Sequence, residues 1–399
     1  MQLLQTNLRN KVLESMIRLL DEKRAEVIKA NQKDLDAFER DDQALYDRLV
    51  VDEAKVDDMI KAVQEIRDQD DPVGRLLYDN TLDTGLHVTN RTAPFGTIMI
   101  IYESRPDVTI EAAVLAFKAN NKILLKGGRE AVHSNLILVE LWHEALAENN
   151  LDKDWIQYMQ KNRQETQEFL RDPDQPLDLI VPRGGEKLIQ FVKEHAQCAV
   201  LVSGRGNNFA YVAEDADPDQ AIKVIVNAKT DKISGCNALD KVLIDQRRRD
   251  LPEFTEKLAA ALRAHKVDLL GDEATCKIVP EARAIPDESA WYEEFLALKA
   301  MITQIEGLDE AIATVNKYSG HHSSTILSPD KEKARKFMEQ VDSAAVYHNA
   351  STRFTDGGQM GVGAELAIST DKLHHRGPLG LPQLVTNKYY VFGEGHIRE

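Results

Sequence analysis

Cysteine is scarce, with three residues in 399, at positions 198, 236 and 276. An odd, sparse count does not make a disulfide framework. No Cys-x-x-Cys or His-Glu-x-x-His spacing occurs, so no metal site is expected. Positive charge is in deficit: 50 Lys and Arg face 66 Asp and Glu, a net charge of -16. Phosphate backbones need clustered cations, so nucleic acid is excluded as a partner. The same surplus of negative charge favours solubility. Long apolar runs are missing, and nothing approaches the ~18 residues of a membrane span. Met1-Gln2-Leu3-Leu4 shows no basic stretch leading into an apolar one. No secretion signal is therefore expected, and the expected setting is the reducing cytoplasm. Neither G-x-G-x-x-G nor G-x-x-x-x-G-K-[ST] is found, which disfavours an ordinary Rossmann motif and a P-loop kinase.

What is there is ordinary for a globular protein, with 43% hydrophobic and 29% charged residues. The length suggests two or three domains. Leu13, Met16, Ile17 and Leu20 repeat at helical spacing, with Thr6 or Asn7 as the N-cap. Val56, Met59, Ile60, Val63 and Ile66 repeat it again. These stripes read as core-facing helix faces. From residue 97 short apolar runs take over, at 97–101, 122–125, 179–181 and 199–202, with a weaker one at 155–159. Helical segments alternate with them, near 107–119, 130–149, 162–171 and 185–195. Strands apolar on both faces and alternating with helices predict a parallel sheet covered by helices. In such sheets ligands bind beyond the carboxyl ends of the strands. A second α/β region is expected at about 231–365, with a strand at 241–244 and helices near 251–265, 308–317 and 330–341.

The segments after the first strands are rich in Gly, Pro and Arg: Tyr102-Glu103-Ser104-Arg105-Pro106, Lys126-Gly127-Gly128-Arg129 and Pro182-Arg183-Gly184-Gly185. Glycines, a cation and a helix N-terminus together suit an anion. A tight strand-to-helix turn is the competing reading. Cys236 lies among small residues, Ile233-Ser234-Gly235-Cys236-Asn237-Ala238. Cys198 and Cys276 read as small buried apolar residues, the usual fate of cysteine. The pairs His321-His322 and His374-His375 lack an acidic residue at ligand or triad spacing and read as hydrogen-bonding histidines.

Several longer motifs resemble the γ-glutamyl phosphate reductase family. They are Tyr102-Glu103-Ser104-Arg105-Pro106, Leu125 to Asn135, Pro182-Arg183-Gly184-Gly185, Cys236-Asn237-Ala238-Leu239, Asn349 to Gly358, Gly363-Ala364-Glu365 and His375-Arg376-Gly377-Pro378. They stand in the family's order over about the whole chain. The family belongs to the aldehyde dehydrogenase superfamily, so the resemblance implies an α/β, aldehyde-dehydrogenase-like fold. It implies a parallel-sheet cofactor domain, 1–82 and 94–230 with part of 366–383, and an α/β catalytic domain, 231–365. A small oligomerisation element is placed at 83–93 and 384–399.

The resemblance also implies the reaction: NADPH-dependent reduction of L-glutamyl 5-phosphate to L-glutamate 5-semialdehyde with release of phosphate, in proline biosynthesis. Cys236 is the implied nucleophile, and Ser104 the implied extra donor to the oxyanion. Lys126, Arg129, Gly184 and Gly185 are the implied cofactor contacts, with Glu294 on the nicotinamide ribose. Arg129 stands where relatives preferring NAD often carry Glu, and a guanidinium suits a 2′-phosphate. Arg105, Arg353 and Arg376 are the candidate substrate cations, with structural ion pairing as the competing role for each. A homo-oligomer is implied, and association with glutamate 5-kinase is a further expectation. One stretch departs from the family: Val202-Ser203-Gly204-Arg205-Gly206-Asn207-Asn208-Phe209. Hydrolytic aldehyde dehydrogenases place a glutamate base at the position of Val202, and Val cannot activate water.

Overall fold

The computed structural model describes residues 2–39, 43–202 and 204–398; Ser203, within the departing stretch, lies outside them. The chain divides into two compact units, the first comprising 1–202, 362–367 and 379–399 and the second 203–361 and 368–378. The contacts thus draw the first boundary at Val202, where residue 230 was expected.

Unit 1 opens with helices α1 (Thr6–Glu22), α2 (Arg24–Asp36), α3 (Gln43–Leu49) and α4 (Glu53–Asp68). The apolar stripes form as expected: Leu13, Met16 and Leu20 of α1 and Val56, Met59, Val63 and Ile66 of α4 are buried. The N-cap of α1 differs. Gln5 takes that position without a side-chain bond, because the Thr6 hydroxyl donates to Asp71 instead. Next come β1 (Leu76–Thr81), β2 (His87–Pro94), β3 (Thr97–Tyr102), α5 (Pro106–Lys118), β4 (Lys122–Lys126), α6 (Val132–Glu148) and β5 (Ile156–Tyr158). They are followed by α7 (Arg163–Arg171), β6 (Leu179–Arg183), α8 (Glu186–His195) and β7 (Ala199–Val200). The parallel sheet runs β5-β4-β3-β6-β7. Its central strands are buried on both faces, as their unbroken apolar sequences require.

Unit 2 holds β8 (Asn208–Val212), α9 (Pro218–Thr230), β9 (Leu239–Asp245), α10 (Leu251–Ala264), β10 (Asp268–Gly271), α11 (Glu273–Ile278) and β11 (Arg283–Ala284). It continues with α12 (Ser289–Tyr292), β12 (Lys299–Ile305), α13 (Leu308–Tyr318), β13 (Ser323–Leu327), α14 (Lys331–Gln340) and β14 (Ala345–His348). A two-stranded piece, β15 (Ile368–Ser369) with β16 (Gly377–Pro378), completes it. Its seven-stranded sheet is parallel throughout, in the order β11-β10-β12-β9-β8-β13-β14.

The last strand, β17 (Val385–Phe392), returns to unit 1 and pairs antiparallel with β2, which pairs with β1 on its other side. The 83–93 stretch and the C-terminal tail were expected to share one small element; the third strand, β1, was not expected. This ribbon leaves Leu76, Leu77, Tyr78, Tyr389, Val391 and Phe392 exposed.

Candidate active site

In unit 1 the expected residues gather beyond the carboxyl ends of the strands. Ser104 follows β3, Lys126 ends β4, Arg129 lies three residues on, and Gly184 and Gly185 follow β6. The glycines after β4 serve packing. A Cβ on Gly127 would fall 2.2 Å from the Asn135 amide, and one on Gly128 would fall 2.1 Å from the Glu130 carboxylate. The N-terminus of α6 already holds an anion of its own, since Asp34 accepts from the backbone N–H groups of His133 (3.0 Å) and Ser134 (2.7 Å). That end of α6 is therefore not the anion site its sequence suggested. The N-terminus of α8 differs, because Gly185 caps it with no side-chain bond and is exposed.

Two cations remain available after β4. The half-buried Lys126 ammonium donates to the Gly127 carbonyl at 2.9 Å. Burial pushes its pKa down, against the attraction of Glu130. Arg129 is exposed and makes no hydrogen bond or ion pair among the described residues. Arg129 and the remaining donors of Lys126, with the N-terminus of α8, which has no side-chain cap among the described residues, fit the phosphates of a dinucleotide.

Ser104 is buried, and its backbone is held in the left-handed region at φ 35°. Its N–H (2.9 Å) and its hydroxyl (2.7 Å) both donate to Glu130 Oε1. Neither donor points to an oxyanion in this arrangement. Arg105 pairs with Asp107 at 2.9 Å, and Lys55 reaches the same carboxylate at 2.9 Å. Burial raises the Asp107 pKa, but Arg105 and Lys55 outweigh it and hold the group at about 2.

In unit 2 the chemistry lies before the strands rather than after them. Cys236 sits in a turn three residues ahead of β9 and is partly buried. Gly235 N–H bonds to Lys232 O at 3.1 Å and Ala238 N–H to Gly235 O at 2.9 Å, closing that turn. Asn208, at the start of β8, donates to the carbonyls of Cys236 (2.8 Å) and Ala238 (2.7 Å). Its own oxygen accepts from Ser323 N–H at 2.9 Å. Asn237 donates to Arg353 O (3.1 Å) and Thr355 O (2.9 Å), and the Thr352 hydroxyl donates to Asn237 O at 2.7 Å. The cysteine loop is thus tied to β8 on one side and to residues 352–355 on the other. By contrast, Cys198 and Cys276 pack against apolar cores, and burial raises both thiol pKa values.

Gly206 stands between Cys236 and Glu294. A Cβ there would fall 1.8 Å from Cys236 O and 2.5 Å from Glu294 Oε1. Only glycine permits this approach. Burial pushes the Glu294 carboxyl up to about 7, and Asp240 adds to this; the Gly206 N–H, Arg205 and Lys241 oppose it.

Arg353 donates through Nε to Asp231 at 2.9 Å and through Nη1 to Asn237 Oδ1, beside the cysteine turn. Arg376 is elsewhere in unit 2. All three of its nitrogens are engaged, with Asp342 Oδ1 (2.6 Å), Asp342 O (3.1 Å) and Thr370 O (3.2 Å). Ion pairing within the fold accounts for Arg376. Sequence reasoning missed Gly206, Asn207 and Asn208. Their signal was a Gly-Asn-Asn run entering an apolar strand. Among the described residues no cluster of His, Cys, Asp or Glu could hold a metal.

The sequence model of the aldehyde dehydrogenase family matches residues 2–284. A γ-glutamyl phosphate reductase of Dictyoglomus thermophilum is 40% identical over 100% of this chain and 96% of its own. The crystal structure of γ-glutamyl phosphate reductase from Thermotoga maritima superposes with a TM-score of 0.94 at 40% identity, over 99% of this chain and 95% of that one. An engineered glycolyl-CoA reductase with bound NADP+ shares the fold, with a TM-score of 0.67 at 16% identity, over 98% of this chain and 92% of that one.

Proposed function

Because the chain belongs to the aldehyde dehydrogenase family, and within it to the γ-glutamyl phosphate reductases, we propose that it reduces L-glutamyl 5-phosphate to L-glutamate 5-semialdehyde with NADPH, releasing phosphate, in proline biosynthesis. The observation that carries the reading is the contrast among the cysteines. Only Cys236 lies in a polar turn tethered on both sides, while the other two sit against apolar cores.

The Cys236 thiolate attacks the acyl carbon, forming a C–S bond as the C–O bond to phosphate breaks. Phosphate leaves and takes up one proton from solvent, the single proton that the overall reduction consumes. The cofactor, when bound, supplies a hydride. With hydride on the acyl carbon, the tetrahedral oxyanion on Cys236 collapses, breaks the C–S bond, and frees aldehyde and thiolate. The Cys236 N–H is the first donor to that oxyanion. Ser104 can join it only by releasing Glu130. Lys126 and Arg129 hold the adenosine phosphate, Gly184 and Gly185 give access to the open end of α8, and Glu294 accepts from the nicotinamide ribose. The phosphate and α-carboxylate of the substrate fall to Arg105 and Arg353. Arg376 is the third candidate only if its Asp342 pairing is given up. Val202 cannot supply a hydrolytic base, which favours phosphate as the acyl acceptor in the reverse direction.

The exposed apolar side chains of β1 and of the edge strand β17 suit pairing with a second copy of the chain. No helix among the described residues is long and apolar enough to cross a membrane.

The test is the reverse reaction. Steady NADPH production from glutamate 5-semialdehyde and NADP is expected only when inorganic phosphate is present. Steady production without phosphate would mean a hydrolytic dehydrogenase and would overturn the assignment.

A further inference from the structure

Glu294 lies in an irregular segment between α12 and β12, yet the backbone on both sides of it is held by buried charges. Lys241, fully buried in β9, donates from Nζ to the carbonyl of Glu293. Asp240, its neighbour in β9, accepts from the N–H of Phe295 at 3.3 Å. The Phe295 ring lies under Lys241 Nζ at 4.0 Å and under Lys299 Nζ at 4.2 Å. Leu296, next along the chain, sits at φ 46°, a left-handed conformation that a leucine keeps only when its surroundings fix it. Successive residues around Glu294 are therefore clamped while its own carboxylate is turned toward Gly206 N–H.

Buried charges of both signs meet inside this clamp. Lys229 and Asp240 form a buried pair at 3.0 Å and satisfy one another. Lys241 adds a second buried cation whose described contacts are a carbonyl and an aromatic face. A buried ammonium is costly unless nearby anions offset it, and Asp240 and then Glu293 attract this one. Lys241 also attracts the Glu294 carboxylate.

We propose that Lys241, backed by Asp240, is a positioning residue for the nicotinamide cofactor, holding Glu294 in place through the Glu293 carbonyl. The proposal rests on Glu294 being the acceptor for the ribose hydroxyls. Lys241 itself touches no cofactor atom in this scheme. Its charge also favours the ionised, accepting form of Glu294. Burial in turn lowers the Lys241 pKa to about 8.

The test is equilibrium NADPH binding to the full chain, followed by nucleotide fluorescence, for wild type, K241M, K241Q, E294Q and K241M/E294Q. E294Q is expected to weaken binding about ten-fold, the size of one charged hydrogen bond. K241M is expected to weaken it by a similar factor, and K241Q, which keeps a donor for Glu293 O, by less. The double variant is expected to bind no worse than about the weaker single, because both changes remove one interaction. The rate of Cys236 alkylation serves as a check that the cysteine turn is intact. If E294Q weakens binding while K241M changes it less than two-fold, the proposal fails and the reading of Glu294 stands. Losses that multiply in the double variant would likewise make Lys241 a general stabiliser and overturn the proposal. If E294Q leaves NADPH binding unchanged, the ribose role is wrong and the role of Lys241 falls with it. Should K241M fail to fold, K241Q and its double with E294Q carry the same comparison.

Discussion

The two parallel sheets present their chemistry at opposite ends. In the sheet of unit 1, Ser104, Arg129 and Gly184 follow strands and Lys126 ends one, where open α/β sheets ordinarily bind ligands. In the sheet of unit 2, Gly206 precedes β8, Cys236 precedes β9, and Glu294 precedes β12. The reason lies in the side chains that hold each set. Unit 1 uses exposed turns with spare cations and an open helix end, a construction suited to a mobile anionic ligand. Unit 2 uses Asn207, Asn208 and Asn237, whose amides are all spent on backbone carbonyls. Such spending immobilises a loop, as a nucleophile held to one geometry requires.

That contrast can be broken most severely at the nucleophile. Cys236→Ser is expected to lower phosphate-dependent turnover by on the order of 10³-fold or more. Cys198→Ser and Cys276→Ser are expected to stay within about two-fold, all three measured as NADPH formation. Gly206→Ala comes next, because its Cβ would overlap Cys236 O at 1.8 Å. Turnover is expected to fall by roughly 100-fold and Tm by roughly 5 °C, as overpacking of a fixed site predicts. The unit 1 cations should show a gentler, selective effect. Arg129→Glu is expected to cut kcat/KM for NADPH by roughly 30-fold, the scale of a lost charge-assisted contact, while NADH changes little. Equal losses for both cofactors would remove the 2′-phosphate role.

The smallest effect is a pH dependence. Burial pushes the Glu294 carboxyl in the folded protein up to about 7, from an ordinary value of 4.5. Between those values the folded state holds the proton more tightly than the unfolded state. Stability therefore falls as pH rises through this window, and the cost is complete above about 7. Glu294→Gln removes the cost, so its Tm is expected to exceed that of wild type by a few degrees at pH 8. The gap should close toward pH 5, as followed by thermal melts at fixed ionic strength.

Much of unit 1 was legible. β3, β4 and β6 are apolar on both faces, and Val56 to Ile66 keep one helical stripe, so burial alone dictated them. β1 was hidden because every residue of Leu76–Thr81 is exposed, leaving no buried face to read. The boundary at Val202 was hidden because β8 begins on the polar Asn208 and joins β9 and β13 rather than the preceding sheet. Within the site, Cys236 and the Lys126 and Arg129 turn stood out by residue type. The occupation of the α6 N-terminus by Asp34 did not, since that carboxylate lies about a hundred residues earlier in the chain. The clamp on Glu294 was equally invisible, because Lys241 reaches Glu293 across 52 positions.

The most direct measurement is a single-turnover burst with glutamate 5-semialdehyde and NADP in the absence of phosphate, quenched in acid and mapped by peptide mass spectrometry. One NADPH per chain is expected, with a glutamyl group on the Cys236 peptide that vanishes when phosphate is added. No burst, or the acyl group found on Cys198 or Cys276, would contradict Cys236 as the carrier of the acyl group.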